Sequence, residues 1–184
     1  AVFLRRMLAE TPVFEAMRQR QELVRGVPLK VVLARHRPAV VESMLLTWVL
    51  TAAIVVVILM TPTLLQKLFG IAPARALAAS SIATLALSIG CVAFGALADR
   101  IGAARTLAFG CIALLLATYA LYYGVPKAPH QLFVLYALAG FCVGVVGVIP
   151  TLLVRAFPAA IRFSGISFAY NVAYAVFGGL TPLF

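Results

Sequence analysis

Residues 76–126 read ALAASSIATLALSIGCVAFGALADRIGAARTLAFGCIALLLATYALYYGVP. Two apolar runs, 76–98 and 106–126, are separated by the charged link DRIGAAR at 99–105. Each run is longer than the roughly 20 residues that an α-helix needs to cross a hydrocarbon core about 30 Å thick. Within lipid, an α-helix satisfies its own backbone hydrogen-bonding groups. The stretch therefore predicts two membrane-spanning helices joined by a short polar link.

Three further apolar runs extend this pattern, at 39–61, 131–154 and 163–184, with Glu42 as the one charged residue in all five runs. The chain is 64% hydrophobic and 11% charged, with a mean hydropathy of +1.09, whereas soluble proteins are about 45–50% apolar and about 25% charged. We therefore predict an all-α membrane protein with about five transmembrane helices. The last run reaches Phe184 without a polar flank, and the chain begins without Met, so we expect a piece of a longer protein.

The net charge of +10 is distributed unevenly. Twelve of the 15 Lys and Arg residues lie before the first run or in the links at 99–105 and 155–162. Because Lys and Arg are retained on the cytoplasmic side during insertion, these segments are predicted to be cytoplasmic, in a multi-pass protein of the cytoplasmic (inner) membrane. No basic residue alternates with exposed aromatic residues, which argues against a nucleic-acid partner.

Residues 1–38 form a region distinct from the transmembrane part at 39–184. Thr11-Pro12 is a typical helix start and Gly26 a typical stop, so the residues between them are predicted to form a weakly amphipathic helix. One interpretation is a solvated connector lying on the bundle or on lipid headgroups. The other is a dedicated site for a lipid or a partner.

The sequence predicts neither a metal site nor an enzyme. Cys91, Cys111 and Cys142 fall in three different runs, without a CxxC pair or a histidine at ligand spacing, so we interpret them as small apolar filler. His36 and His130 are predicted on opposite sides of the membrane. No nucleophile with a neighbouring base is recognisable, and no cofactor is expected.

Glycine and proline residues in the last two runs predict close packing and bending. Pro150 removes a backbone donor and clashes with the preceding turn, so a kink is expected near 146–150. The residues assigned to packing or hinge roles are Gly140, Gly144, Gly147, Pro150, Gly178 and Gly179.

The last run is also unusually polar. Ser167, Tyr170, Asn171 and Tyr174 recur at spacings of three and four residues, which places them on one helix face. Such a face is expected to point to the interior of the bundle or to a water-filled cavity.

The segment from Gly95 to Arg105, GALADRIGAAR, resembles the G-x-L-(A/S)-D-R-x-G-R-(R/K) signature of the major facilitator superfamily. In that superfamily the pattern lies between helices two and three and recurs between helices eight and nine. The long basic segment ahead of the first run resembles the central cytoplasmic connector, so the five runs would correspond to helices 7–11. Ala103 and Ala104 depart from the signature, which often has basic residues at these positions.

The resemblance implies a gating role for the charged link, in which a cluster of charges holds one end of the bundle closed. The residues that carry this implied role are Gly95, Asp99, Arg100, Gly102 and Arg105. From the residues alone, the two glycines would permit close helix approach and a sharp turn. Asp99 would cap a helix or pair with Arg100 or Arg105. An ordinary capped loop with surface charges is the alternative.

A second resemblance concerns Glu10 to Phe14, Arg162 to Asn171 and Gly178 to Pro182. These segments are similar to the metabolite:proton symporter branch, whose members carry α-ketoglutarate, citrate, shikimate, and proline or betaine. The resemblance implies part of a secondary active transporter that moves a small polar metabolite with a proton by alternating access. Its partners would be the substrate, H⁺, the lipid bilayer and a missing N-terminal half. A transport-incompetent remnant or a structural membrane subunit is the alternative.

In such a carrier the substrate lies near mid-membrane between two halves. Tyr and Asn can hydrogen-bond a carboxylate or carbonyl, and Trp can cover an apolar or quaternary ammonium group. The substrate-cavity candidates are Trp48, Thr51, Tyr136, Tyr170, Asn171 and Tyr174. Each could instead serve packing or interface anchoring. No acid or base lies near the middle of any run, so a proton-carrying group is expected in the N-terminal half.

Overall fold

The computed structural model of the protein describes residues 28–180. Within this range the chain is helical and contains no strand, which confirms the all-α fold class. The described helices are α1 (Pro28–Arg35), α2 (Arg37–Phe69), α3 (Pro73–Ile101), α4 (Ala103–Lys127), α5 (Pro129–Ala156) and α6, which begins at Arg162. Helix α6 is α-helical over Arg162–Ala173 and π-helical over Tyr174–Gly178. The amphipathic helix expected between Thr11 and Gly26 lies outside the described residues.

Four of the described helices, α2 to α5, are long and apolar enough to cross a membrane. Each coincides with one of the apolar runs and extends beyond it by two or more residues at one or both ends. The exposed surfaces of these helices carry many large apolar side chains, such as Leu85, Val92 and Leu115, which are 67%, 74% and 70% exposed. Such surfaces are suited to contact with lipid or with further transmembrane helices.

The buried apolar side chains form two clusters. The larger one lies between α2, α3, α4 and α5 and includes the fully buried Leu121, Leu132 and Val143. The smaller one joins α1 to the start of α2, the link after α5 and the start of α6, through Val32 and Phe157 among others. Helix α5 contributes many of the buried residues because it is enclosed by α3 on one side and α4 on another.

Glycines bring α3 and α5 into contact at the level of their backbones. A Cβ added at Gly140 would collide with the carbonyl oxygen of Ala83 and lie 2.8 Å from its carbonyl carbon. A Cβ added at Gly144 would lie 2.6 Å from Cα of Gly90. Lipid gives helices no hydrophobic reason to associate, so close van der Waals fit of this kind is what holds them together.

Helix α2 does not end with the apolar run at residue 61 but passes Pro62 and continues to Phe69. The reason is the π-helical stretch Ala53–Met60, after which the N–H of Thr61 bonds to the oxygen of Val56. The next bond of this π-helical pattern would join Val57 O to the N–H of residue 62, but Pro62 has no N–H. The hydroxyl of Tyr136 on α5 donates to Val57 O instead, at 2.9 Å.

A neighbouring polar contact ties the same part of α2 to α4. The Thr61 hydroxyl bonds to Val56 O at 2.9 Å and lies 2.6 Å from the hydroxyl of Tyr122. Groups freed from a helix within a membrane need such partners from adjacent helices. Helix α2 therefore passes Pro62 without a break because α4 and α5 supply hydrogen bonds around it.

Helix α5 departs from α-helical geometry where Pro150 was expected to disturb it. A 3₁₀ stretch covers Gly144–Val148, and an α-helical segment then resumes at Ile149–Ala156 with Pro150 in its first turn. Pro fits the first turn because its missing N–H has no intrahelical acceptor there. Helix α2 ends at Phe69 and is followed by the C-cap residue Gly70, whose φ of 63° is the left-handed conformation typical of this position.

Candidate functional site

The N-terminal half of α2 packs along α6. We call this contact the α2–α6 seam. On the α2 side, Ser43, Thr47 and Thr51 are fully buried and spaced one turn apart. Thr47 Oγ1 donates to Ser43 O at 2.8 Å, and Thr51 Oγ1 donates to Thr47 O at 2.7 Å. The two threonine hydroxyls are thus satisfied within α2, while the buried Ser43 Oγ has no partner among residues 28–180.

Thr51 was expected to line a cavity, and the structure instead places it inside the seam. A Cβ added at Gly178 would lie 3.2 Å from Cγ2 of Thr51, so the two residues are in close contact. Thr51 follows Trp48 by three residues, which is about 60° around a helix. That rotation is enough to bury Thr51 against α6 while Trp48, 46% exposed, remains at the surface.

Two pairs of stacked aromatic rings lie at the seam. Trp48 on α2 stacks on Phe177 on α6, with ring centroids 4.9 Å apart and an interplanar angle of 20°. Tyr170 and Tyr174 stack on each other along α6, at 5.6 Å and 22°. We call these four residues the aromatic face. Trp48 and Tyr174 are 46% and 40% exposed, so the aromatic face is accessible at the surface of the described structure.

Gly178 lies where α6 contacts α2, directly after Phe177 in sequence and against the ring of Tyr174. A Cβ at this position would lie 3.2 Å from Thr51 on α2 and 3.5 Å from the ring of Tyr174 on α6. The absence of a side chain at Gly178 therefore allows α6 to approach α2 beside both stacks. Gly179, which was assigned the same role, has no described atom within 4 Å of an added Cβ.

Sequence reasoning missed Phe177 as a member of this face. Phe177 follows Tyr174 by three residues and Tyr170 by seven, a spacing that could have indicated a shared helix face. The direct contact with Trp48 depends on how α2 and α6 pack, and the π-helical turn at Tyr174–Gly178 changes the rotation of the residues after it.

Asn171 lies beside the aromatic face and is exposed. Its side-chain nitrogen donates to Ser167 O, one turn earlier, at 2.7 Å. Because the amide nitrogen donates to Ser167, the amide oxygen of Asn171 is not used in this bond. Asn171 can therefore offer a polar group to a ligand at the edge of the face.

Tyr136 was expected in the cavity, and the structure corrects this. Its side chain is fully buried in the larger core cluster, and its hydroxyl donates to Val57 O at 2.9 Å. The sequence showed a tyrosine in an apolar run, which is compatible with either location. The missing donor at Pro62 explains why the hydroxyl points toward α2 and away from any open surface.

The link between α3 and α4 consists of Gly102 alone, with φ of 95°. Its carbonyl oxygen accepts hydrogen bonds from the N–H of Thr106 at 3.1 Å and from the Thr106 hydroxyl at 3.0 Å. The first of these is the bond that begins α4, whose N-cap residue Gly102 makes no side-chain capping hydrogen bond. The sharp turn expected at Gly102 is thus observed, because a residue with a side chain would be strained at this φ.

The charged residues around this turn do not pair with each other. Asp99, Arg100 and Arg105 are exposed, and no ion pair joins them within residues 28–180. Asp99 also does not cap α4, whose N-cap is Gly102. Gly95 has no described atom within 4 Å of an added Cβ, so the close helix approach expected there is absent from this part of the structure.

The remaining candidates from the sequence lie away from the seam. Gly147 is exposed on α5, and a Cβ there would lie 3.3 Å from Sγ of Cys91.

The described residues hold no group of three or more His, Cys, Asp or Glu side chains that could bind a metal ion. Cys111 and Cys142 are, like Cys91, free thiols on separate helices.

The fold and the apolar helices define an all-helical, multi-pass membrane protein. Residues 1–182 match the Major Facilitator Superfamily, and the chain belongs to this superfamily of transporters. It is 28% identical over 183 residues to the citrate-proton symporter of Klebsiella pneumoniae. That alignment covers 98% of the chain and 40% of the relative, so the chain spans about two fifths of the relative's length. No solved structure matches the chain.

Proposed function

We propose that the chain is part of a secondary active transporter that moves a small polar metabolite across the cytoplasmic membrane with a proton. Membership of the Major Facilitator Superfamily over residues 1–182 carries this proposal. The relative that transports citrate with protons favours an organic acid as the substrate, because that similarity covers 98% of the chain. The bundle would work by alternating access, with a second set of helices facing the one described here.

The aromatic face, together with Asn171, is proposed as this chain's contribution to the substrate cavity. Trp48 and Tyr174 are exposed although both lie within apolar helices, and Asn171 is exposed beside them. Hydroxyl and amide groups can bind carboxylates, and ring faces can cover the apolar part of a substrate. The face itself is uncharged, so the counter-charges and the proton-carrying group belong, in this proposal, to parts of the carrier outside these 184 residues.

Uptake of labelled citrate into proteoliposomes tests the function, with the full-length carrier reconstituted and a proton gradient imposed. We expect substrate-dependent proton uptake by the unmodified carrier. Trp48→Ala is expected to raise the KM for the transported acid about two- to tenfold, the equivalent of a ring contact worth roughly 0.5–1.5 kcal/mol. Phe109→Ala, which removes a 64% exposed ring on α4 away from the seam, is the matched control and should keep the KM.

Two outcomes would contradict the proposal. An unmodified carrier that takes up neither citrate nor any other organic acid or betaine, while correctly folded, would favour the transport-incompetent alternative. Substrate uptake without accompanying protons would refute proton symport but would still support a transporter.

The orientation of the bundle is a separate prediction. A cysteine introduced by Asp99→Cys, after replacement of Cys91, Cys111 and Cys142, should react with a membrane-impermeant maleimide from the cytoplasmic side only. Lys127→Cys in the same background should react only from the outer side, because the links rich in Lys and Arg stay in the cytoplasm. Both positions are exposed, so access is not limited by burial. Labelling of position 99 from the outer side would reverse the proposed topology.

A further inference from the structure

We propose that Phe177 is a positioning residue, whose ring holds the indole of Trp48 in the orientation that faces the substrate. This inference rests on the proposed function, because it assumes that Trp48 contacts the transported metabolite. Its starting observation is the stack of the two rings across the seam, at 4.9 Å and 20°. Trp48 remains 46% exposed, so this stack orients the indole and does not bury it.

An exposed tryptophan on a helix normally has several side-chain rotamers within reach. A second ring packed nearly parallel against one of its faces removes part of that freedom. The stack joins two helices, so the indole is fixed relative to α6 as well as to its own helix α2. A substrate that meets Trp48 would then find the ring already oriented, and the entropy cost of ordering it would be reduced.

The surroundings of Phe177 place its ring where it can act on Trp48. Phe177 lies in the π-helical turn Tyr174–Gly178, and the next residue, Gly178, makes the close contact with Thr51 on α2. The contact with Thr51 brings α6 close to α2 within one turn of Trp48. Phe177 is itself half-buried, so its effect on a ligand is expected to pass through the indole.

Trp48 and Phe177 are distinct from the two buried core clusters of residues 28–180. Neither Trp48 nor Phe177 belongs to the buried members of the two core clusters or to the partly buried side chains packed against them. A positioning role predicts that loss of the Phe177 ring changes the orientation of Trp48 in a carrier that is still folded, whereas a purely structural role predicts a change in stability alone. That difference separates a positioning role from a purely structural one.

The test uses the full-length carrier and two readouts. The first is quenching of Trp48 fluorescence by acrylamide, obtained as the difference from a Trp48→Phe variant; Trp48 is the single tryptophan in the 184 residues. The second is the KM and the maximal rate of citrate uptake. We expect Phe177→Leu to increase quenching of Trp48 and to raise the KM about two- to tenfold with the maximal rate retained. Phe177→Tyr keeps the ring and should restore both values.

A double variant shows whether Phe177 acts through Trp48. In a Trp48→Ala background, Phe177→Leu should have no further effect on the KM, because the ring that it positions is absent. Phe168→Leu, which removes a half-buried ring elsewhere on α6, is the matched control and should leave Trp48 quenching unchanged. An equal effect of Phe177→Leu on the KM with and without Trp48 would overturn the proposal.

The two proposals can fail separately. If the unmodified carrier transports none of the acids tested, the proposed function fails, and the quenching measurement still decides whether Phe177 fixes the indole. If transport is normal and Phe177→Leu changes neither quenching nor the KM, the positioning role is refuted while the transporter stands.

Discussion

Gly140→Ala is expected to destabilise the protein strongly, although alanine is the better helix former. The added Cβ would collide with the Ala83 carbonyl oxygen on α3, a backbone atom that cannot rotate away. The two helices would have to separate, and the contacts around Gly90 and Gly144 lie on the same interface. Overpacking of this kind typically costs about 1–3 kcal/mol. Thermal unfolding of the detergent-solubilised carrier should show a clearly lower midpoint.

Gly95→Ala is the matched control for this prediction. Gly95 also lies inside a helix, on α3, but no described atom comes within 4 Å of an added Cβ. This substitution should leave the unfolding midpoint unchanged or raise it, since alanine is favoured over glycine in a helix interior by roughly 0.5–1 kcal/mol. Equal midpoints for Gly140→Ala and Gly95→Ala would mean that α3 and α5 are not in backbone contact.

The helices could be predicted from the sequence because their signal is a property of whole segments. Runs such as 76–98 are apolar over their full length, and within a membrane only a helix satisfies the backbone of such a segment. The exact ends could not be predicted in the same way. Helix α2 passes Pro62 because side chains from α4 and α5 bond around it, and those side chains are distant in sequence.

Individual site residues were harder to predict, because their roles depend on the rotation of each helix. Trp48 and Thr51 are three residues apart, yet one is exposed and the other lies inside the seam. Within an apolar run, sequence periodicity does not distinguish a side facing lipid from a side facing another helix. The partner of Trp48, Phe177, could be identified only from the packing of α6 on α2.

For the charged link, the motif could be predicted from the sequence but the contacts of its side chains could not. The motif at 95–105 was recognisable from its residues, but Asp99 and the two arginines near it are all exposed and unpaired within the described residues. An exposed ion pair is worth only about 0–1 kcal/mol, so the arrangement of these charges can differ between the states of an alternating carrier. The gating role of Asp99, Arg100 and Arg105 stays a prediction.

Tyr136→Ala is expected to be among the most damaging single substitutions in the described part of the chain. The ring is fully buried in the larger core cluster, and removing such a side chain typically costs about 3–5 kcal/mol because a cavity remains. Tyr136→Phe keeps the ring and removes only the hydroxyl that donates to Val57 O. Leaving a buried carbonyl without a partner typically costs about 1–3 kcal/mol. Both effects should appear as lower unfolding midpoints.

Pro62→Ala provides the decisive comparison, because it returns to α2 an N–H that could bond to Val57 O. If the Tyr136 hydroxyl compensates for the proline, Tyr136→Phe should cost less in a Pro62→Ala background than in the unmodified carrier, a coupling that a double-variant cycle measures directly. The KM for the transported acid should stay the same in Tyr136→Phe, since the hydroxyl is buried away from the aromatic face. A raised KM with an unchanged unfolding midpoint would instead return Tyr136 to the substrate cavity, as the sequence had predicted.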